Sequence, residues 1–370
     1  SAAEARAKRS GDSGATSDTV VGERLIPAPS FGVCNKSVGK IHLKDSKEEG
    51  SDRTHTTDND DKDTNNMAHK SDRIDNGANA PEEPPELGGC IGCCMMCCFG
   101  CLTCCGCRDA VCRKIMFFPP EPPFYKISDD SKLMRIPLEL LPNTEDLSQD
   151  DVKRMGQAHF SKRLEVKLVR LKTERRSEIV ACHITHPKAK STVLYSHGNA
   201  TDIGMQSYAI ETLVIACRVN VLFYDYTGYG WSARHDKPAP SHVGADAEAA
   251  YTYLVKDAGV PASSIILYGQ SLGSVPSCLL AKNHKVKGLV IHSGMASAIR
   301  VLKPSIKRSP WFDLFRNVDV IRDAKCPVFI IHGDADKAVP FSNGKALYDN
   351  APMKIRPWWV KGGDHNNIEM

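Results

Sequence analysis

The sequence predicts an α/β fold: a mostly parallel, doubly wound sheet with helices on both faces and a short cap. Three observations predict it. From residue 192 onward, apolar strand-like runs alternate with helical patterns, the alternation expected of βαβ units. One of these runs, Ser264 to Tyr268, leads straight into Gly269-Gln270-Ser271-Leu272-Gly273 and then into a helix-like stretch. Two later runs end in loops that carry an acid and a histidine, so reactive side chains collect beyond the C-terminal ends of strands, where open α/β sheets place their sites.

Taken in order, Leu164 to Leu171 and Glu178 to Ile184 alternate like a hairpin and supply antiparallel edge strands before the parallel sheet begins. Strands are expected at 192–196, 219–224, 264–268, 286–291, 326–331 and 355–360, and helices near 205–216, 242–257, 271–282 and 341–349. Residues 297–324 lie between two strands without a strand pattern of their own and read as the cap. The cap is basic and aromatic, with Lys303, Lys307, Arg308, Trp311, Phe312 and Phe315. Such a segment shapes an acyl groove, faces a charged membrane, or is a surface helix with one buried face.

The Gly-x-Ser-x-Gly stretch has the form of a nucleophile elbow. A serine on so sharp a strand-to-helix turn takes strained backbone angles, and glycines on either side avoid collisions. Its hydroxyl is a poor nucleophile until an imidazole removes its proton and a carboxylate orients that imidazole. Such an elbow is followed in α/β-hydrolases by the acid and then the histidine. Pro327 to Ile331 reads as a strand ending in His332-Gly333-Asp334-Ala335-Asp336, and Ile355 to Val360 as one ending in Gly362-Gly363-Asp364-His365. Ser271, Asp336 and His365 therefore form the predicted triad. Asp334 is the rival acid, Asp364 the weakest candidate, and Asp225 precedes the serine and breaks the order. After Thr192 to Ser196, the short loop His197-Gly198-Asn199-Ala200-Thr201 can aim a backbone N–H. The N–H of Asn199 or Ala200, with that of Leu272, is the expected oxyanion hole. His197 is expected to close a strand, and the aromatic loop from Asp225 to Ser232 to support the site structurally.

Composition divides the 370 residues into unlike regions. Residues 1–88 form a polar tail whose composition cannot offset the entropy of ordering, so disorder is expected there. Residues 89–114 are a cysteine-rich segment, 115–163 a proline-containing connector and lead-in, and 164–370 the catalytic domain. The proline run 119–123 is expected to act as a stiff spacer. A net charge of +4, with no arginine-rich helix or basic aromatic stripe, argues against nucleic-acid binding. No secretory signal and no run of 18 apolar residues is present, and nothing calls for a cofactor or a metal in the catalytic domain.

Ten of the 15 cysteines crowd into the second region: Cys90, Cys93, Cys94, Cys97, Cys98, Cys101, Cys104, Cys105, Cys107 and Cys112. A disulfide scaffold needs an oxidising compartment and a small domain to staple. Zinc modules separate paired ligands by a polar, foldable linker, whereas these cysteines sit among Gly, Ile, Met, Phe and Leu. S-acylation fits best, because cysteines spaced three and four apart line much of a short helix facing a bilayer. One chain binds reversibly, while several hold a protein stably. Arg108, Arg113 and Lys114 follow and can meet anionic headgroups.

With these residues assembled, the chain closely resembles the α/β-hydrolase domain-containing 17 family of protein S-depalmitoylases, membrane-associated serine hydrolases with a palmitoylated cysteine-rich N-terminus. The resemblance runs from about Cys90 to Met370 and is carried by the cysteine block and Phe117-Phe118-Pro119-Pro120-Glu121-Pro122. It continues in Ser196-His197-Gly198-Asn199-Ala200-Thr201-Asp202, Tyr224-Asp225-Tyr226-Thr227-Gly228-Tyr229-Gly230, the elbow, and His365-Asn366-Asn367-Ile368-Glu369. It implies an α/β-hydrolase fold and hydrolysis of palmitoyl-cysteine thioesters on S-acylated membrane proteins. In that reaction Ser271 is acylated, Asp336 orients, and His365 is base and then acid. It also implies S-acylation among Cys90 to Cys107 and a peripheral place on the cytoplasmic face of plasma or endosomal membranes. Two departures from the family pattern are expected to matter. Here 89 residues precede Cys90, and five follow His365 where the family has a further helix. A lipid or small-molecule carboxylesterase of the Bem46-like hydrolases and a catalytically inactive membrane scaffold are the alternative readings.

Overall fold

A computed structural model describes residues 113–135 apart from 115, 130 and 131, and residues 160–368 apart from 234. The predicted polar tail, the cysteines Cys90 to Cys112 and residues 136–159 lie outside the described residues.

A short antiparallel pair, β1 (Tyr125–Ile127) and β2 (Leu133–Arg135), precedes an eight-stranded sheet. The sheet begins with the predicted hairpin, β3 (Glu165–Lys172) and β4 (Glu178–Thr185). Then come β5 (Thr192–Ser196), β6 (Asn220–Tyr224), β7 (Ile265–Gln270), β8 (Gly288–His292), β9 (Val328–Gly333) and β10 (Trp358–Val360). Their spatial order is β10-β9-β8-β7-β5-β6-β4-β3, with β5 to β10 mutually parallel and β4 antiparallel to both neighbours. Winding reverses at β5, which has β6 on one side and β7 on the other. A crevice opens at such a switch point, outside the carboxyl ends of the strands.

Alternation along the central strands assigns the two faces. Val193 and Tyr195 on β5, Val221 and Phe223 on β6, and Ile266 and Tyr268 on β7 share a cluster with Ile203, Ile210 and Val214 of helix α1 (Ile203–Cys217). The intervening Leu194, Leu222 and Leu267 point to the other face. There they meet α2 (Pro240–Thr252), α3 (Ser274–Asn283) and α6 (Ser342–Asn350) through Val243, Ala247, Val275, Leu280 and Leu347. Each of these three leucines is fully buried, and each burial contributes roughly 1.5–3 kcal/mol relative to exposure.

Element boundaries depart from periodicity for local reasons. The helix expected over 271–282 opens as a 3₁₀ turn, Ser271–Gly273, because Ser271 has φ +51° and no α-helix accommodates that angle. The helix expected over 242–257 starts two residues earlier, at Pro240, a good first helical residue, and ends in a π-turn at Tyr253–Asp257. The predicted strand 355–360 narrows to Trp358–Val360, and 264–268 extends to Gln270. Within the predicted cap only short helices form, α4 (Ala298–Leu302) and α5 (Asn317–Val320), and Leu302 and Trp311 are exposed. The proline run does not stand away as a spacer. Phe117 and Tyr125 on either side of it are 4% and 1% exposed, packed into the two face clusters. Among the described residues, no helix is long and apolar enough to cross a membrane.

Candidate functional site

β7 delivers Ser271 at the switch point, and the glycines explain how. A side chain on Gly269 would collide with the Gly273 carbonyl, and one on Gly273 with the Ser196 carbonyl of β5. The turn therefore lies hard against the neighbouring strand. Ser274 holds it from below: its hydroxyl donates to the Ser271 carbonyl at 2.6 Å and receives the buried Asn317 Nδ2 at 3.2 Å. Asn317 also donates to the Met295 carbonyl at 2.9 Å, which ties the elbow to the loop after β8.

Ser271, Asp336 and His365, distant along the chain, come together here. His365 Nε2 lies 3.0 Å from Ser271 Oγ, and His365 Nδ1 lies 2.8 Å from Asp336 Oδ2. Ser271 and His365 are half-buried and open to a ligand, while the Asp336 side chain is fully enclosed. Since Nδ1 faces a carboxylate, it carries the ring proton, and Nε2 presents a lone pair to the hydroxyl.

The carboxylate is itself positioned. Asp336 Oδ1 accepts the Ala338 and Val339 N–H groups at 2.9 and 2.7 Å. Burial alone would raise this carboxyl, but hydrogen bonds from His332, His365 and Val339 outweigh it and hold the group well below the usual carboxylate range. His332 was not singled out from sequence. It lies fully buried four residues before Asp336, its Nε2 3.3 Å from Oδ2 while donating to the Val339 carbonyl at 2.8 Å. The other two acids have different partners. Asp334 accepts the Gly362 N–H at 2.6 Å, and Asp364 accepts those of Lys337 and His365 at 3.0 and 2.8 Å.

The loop after β5 passes directly over the elbow, since a Cβ on Gly198 would lie 3.6 Å from Ser271 Cβ. Of the three predicted oxyanion donors, Ala200 is committed elsewhere: its N–H donates to Asn199 Oδ1 at 3.0 Å, in a left-handed conformation with φ +54°. The backbone N–H groups of Asn199 and Leu272 remain as the candidate pair. His197 is enclosed, packed on the rings of Tyr226 and Tyr229 at 4.4 and 5.7 Å.

Asp225 is a structural node. Its Oδ1 accepts the Ile203 N–H at 2.9 Å and its Oδ2 the Tyr125 hydroxyl at 2.6 Å. Asp202 caps α1 through Met205 N and also accepts the Phe124 N–H at 2.6 Å. Burial, and then the charge of Asp225, push Asp202 up to about 7 against those two hydrogen bonds. These two acids fasten the segment that precedes the sheet to the rim of the site, a role that nothing in their spacing announced. The predicted lipidation cysteines lie outside the described residues.

Comparison with known proteins adds to this geometry. The family model described as Serine aminopeptidase, S33 matches residues 187–318. The chain is 35% identical over 263 residues to alpha/beta hydrolase domain-containing protein aho-3 of Caenorhabditis elegans, covering 70% of this chain and 74% of that protein. It is 34% identical over 266 residues to alpha/beta hydrolase domain-containing protein 17B of Homo sapiens, covering 71% and 88%. Among solved structures, an esterase of Pyrococcus furiosus aligns with a TM-score of 0.46 and 19% identity, over 55% of this chain and 85% of that one.

Proposed function

We propose that this chain, which belongs to the α/β-hydrolase domain-containing 17 family, cleaves palmitoyl-cysteine thioesters on membrane-associated proteins through Ser271, His365 and Asp336. Fold and family make it a hydrolase. The observation that carries the serine mechanism is the continuous contact Ser271 Oγ, His365 Nε2, His365 Nδ1, Asp336 Oδ2, at 3.0 and 2.8 Å.

In this reading Ser271 Oγ attacks the thioester carbonyl carbon while His365 Nε2 takes the hydroxyl proton. The oxyanion that forms is met by the N–H groups of Leu272 and Asn199, each such donor contributing about 3–4 kcal/mol to the transition state. Collapse breaks the C–S bond, and the His365 proton goes to the departing cysteine sulfur. Water then repeats the sequence on the acyl-serine: His365 removes its proton, the hydroxyl oxygen bonds to the acyl carbon, and Ser271 leaves with the proton restored. The acid is released. Asp336 keeps the imidazole in the required tautomer and stabilises its charged form.

Family membership supports this substrate class, and the composition of the cysteine block supports a membrane location. S-acylation of Cys90, Cys93, Cys94, Cys97, Cys98, Cys101, Cys104, Cys105 and Cys107 would hold the enzyme on the cytoplasmic membrane face beside its substrates. The test follows release of labelled palmitate from membrane proteins, turnover of short-chain esters, and labelling of Ser271 by a fluorophosphonate. Wild type is expected to release palmitate and to label, and Ser271→Ala to do neither. Ester turnover without palmitate release would point instead to a small-molecule esterase, and absence of labelling to an inactive scaffold.

A further inference from the structure

The Asn199 side chain sits where two parts of the chain meet. Its Oδ1 accepts three donors: its neighbour Ala200 N–H at 3.0 Å, the Tyr229 hydroxyl at 2.6 Å and the Phe118 N–H at 3.0 Å. Its Nδ2 donates to the Met116 carbonyl at 2.9 Å. Two of these partners, Met116 and Phe118, belong to the segment that leads from the cysteine-rich region into the domain. Between them Phe117 is buried, its ring edge-on to Phe315 with centroids 6.3 Å apart. The Phe118 N–H also reaches the Tyr229 hydroxyl at 3.2 Å, which closes a ring of contacts around one carboxamide.

We propose that the Asn199 carboxamide is a positioning residue that aims the Asn199 backbone N–H at the Ser271 reaction centre, and that docking of Met116–Phe118 sets it. The inference rests on the serine-hydrolase reading and adds a form of control to it. The loop needs such a clamp. Ala200 holds a left-handed backbone without being glycine, a conformation that persists only where surrounding contacts impose it, and here Asn199 Oδ1 takes the Ala200 N–H. Gly198 leaves the loop no side chain with which to brace itself against the elbow. Asn199 fits the role because one planar group both accepts and donates. Aspartate would place an oxygen against the Met116 carbonyl, and alanine would release all four partners. When the segment is undocked, two of those four contacts are lost and the loop is free to carry its N–H away from the oxyanion. A displacement of about 1 Å is enough to cost on the order of a hundredfold in rate.

The experiment uses the full-length protein in membranes and measures both the rate of fluorophosphonate labelling of Ser271 and the kcat and KM of turnover. Asn199→Ala is expected to slow labelling and kcat by about 10- to 100-fold with KM nearly unchanged, since the oxyanion forms only in the transition state. Tyr229→Phe removes a single hydroxyl and is expected to slow both by about 3- to 10-fold. Phe118→Pro removes the N–H at a position already biased toward extended backbone by Pro119, and is expected to be slower than Phe118→Ala, which keeps the N–H. Neither Tyr229→Phe nor Phe118→Pro should slow labelling further in the Asn199→Ala background, because each acts through the same carboxamide. Losses that multiply, an unimpaired Asn199→Ala, or an effect confined to KM would overturn the proposal. If Asn199→Ala does not fold, the equality of Phe118→Pro and Phe118→Ala is the overturning result. Labelling of wild type without palmitate release would remove the proposed substrate and leave this inference standing, and no labelling at all would end both.

Discussion

Asp336 shows how much one residue's surroundings decide. Its two oxygens serve two backbone N–H groups and two imidazoles, and the balance keeps it ionised far into acid. Because its folded value is depressed, the stability it lends is present above the ordinary carboxylate range and is lost as pH falls through the folded value. Asp336→Asn leaves the shape but removes the charge that selects the His365 tautomer, so kcat is expected to drop by about 10⁴-fold with Ser271 still present, as measured by steady-state kinetics. Asp246 has the opposite sign. Burial pushes it up to about 7 although the Thr227 N–H and hydroxyl both donate to it at 2.8 Å. Stability from a raised carboxyl is present at low pH and is lost as pH rises through about 7. Between pH 5 and 8 the thermal midpoint of Asp246→Asn is therefore expected to fall less steeply than that of wild type, and parallel curves would refute this. At this scale the sequence could name reactive types in the right order, because order along the chain is visible. It could not name His332, which reaches Asp336 and Val339 only through the fold of the loop after β9, or the Asn199 carboxamide, whose partners Met116, Phe118 and Tyr229 lie 30 to 83 positions away.

At the scale of the element, the turn at Ser271 is the unit with the least freedom. Gly273 lies against the Ser196 carbonyl, so an added methyl meets rigid backbone of the neighbouring strand rather than a yielding side chain. Gly273→Ala is expected to lower unfolding free energy by about 1–3 kcal/mol in denaturant titration and to displace Ser271 from His365, abolishing probe labelling. A variant as stable and as reactive as wild type would mean that the turn is looser than its packing indicates. Strands were legible here because β-branched and aromatic runs bounded by Gly, Pro, Asn or Asp have few other uses, as Val221 to Tyr224 between Asn220 and Asp225 and Val328 to Ile331 after Pro327 illustrate. Their ends were less legible. The helix after the elbow starts late because a positive φ at Ser271, a tertiary requirement, overrides the helical pattern of the following residues.

The whole molecule places the site by topology. Reversal of strand order at β5 opens a crevice beside β7, and loops from β5, β7, β9 and β10 all end there. The chain before the sheet is fastened at the same rim through Phe124, Tyr125 and Phe118 to Asp202, Asp225 and Asn199. In the proposed reading, anchoring and catalysis occupy separate segments of the sequence. Changing the cysteines from Cys90 to Cys107 to serine is accordingly expected to move the protein from the membrane to the soluble fraction, whereas Ser271→Ala should leave it on the membrane. Fractionation after cell lysis reads both, and an unchanged membrane fraction in the cysteine variant would remove the acyl-anchor proposal.

By itself the sequence determined the fold class and the elbow and put forward a serine, an acid and a histidine in that order, since these depend on local periodicity and on order along the chain, which a one-dimensional pattern carries. Only the tertiary structure decided which of the acids Asp334, Asp336 and Asp364 meets the His365 ring, that Ala200 spends its N–H on Asn199, and that the proline-rich segment lies docked rather than free. Those outcomes turn on hydrogen bonds and packing between residues up to about a hundred positions apart. Such partners are chosen by the geometry of the closed fold, where each buried polar group must find a mate, and no local propensity encodes that choice.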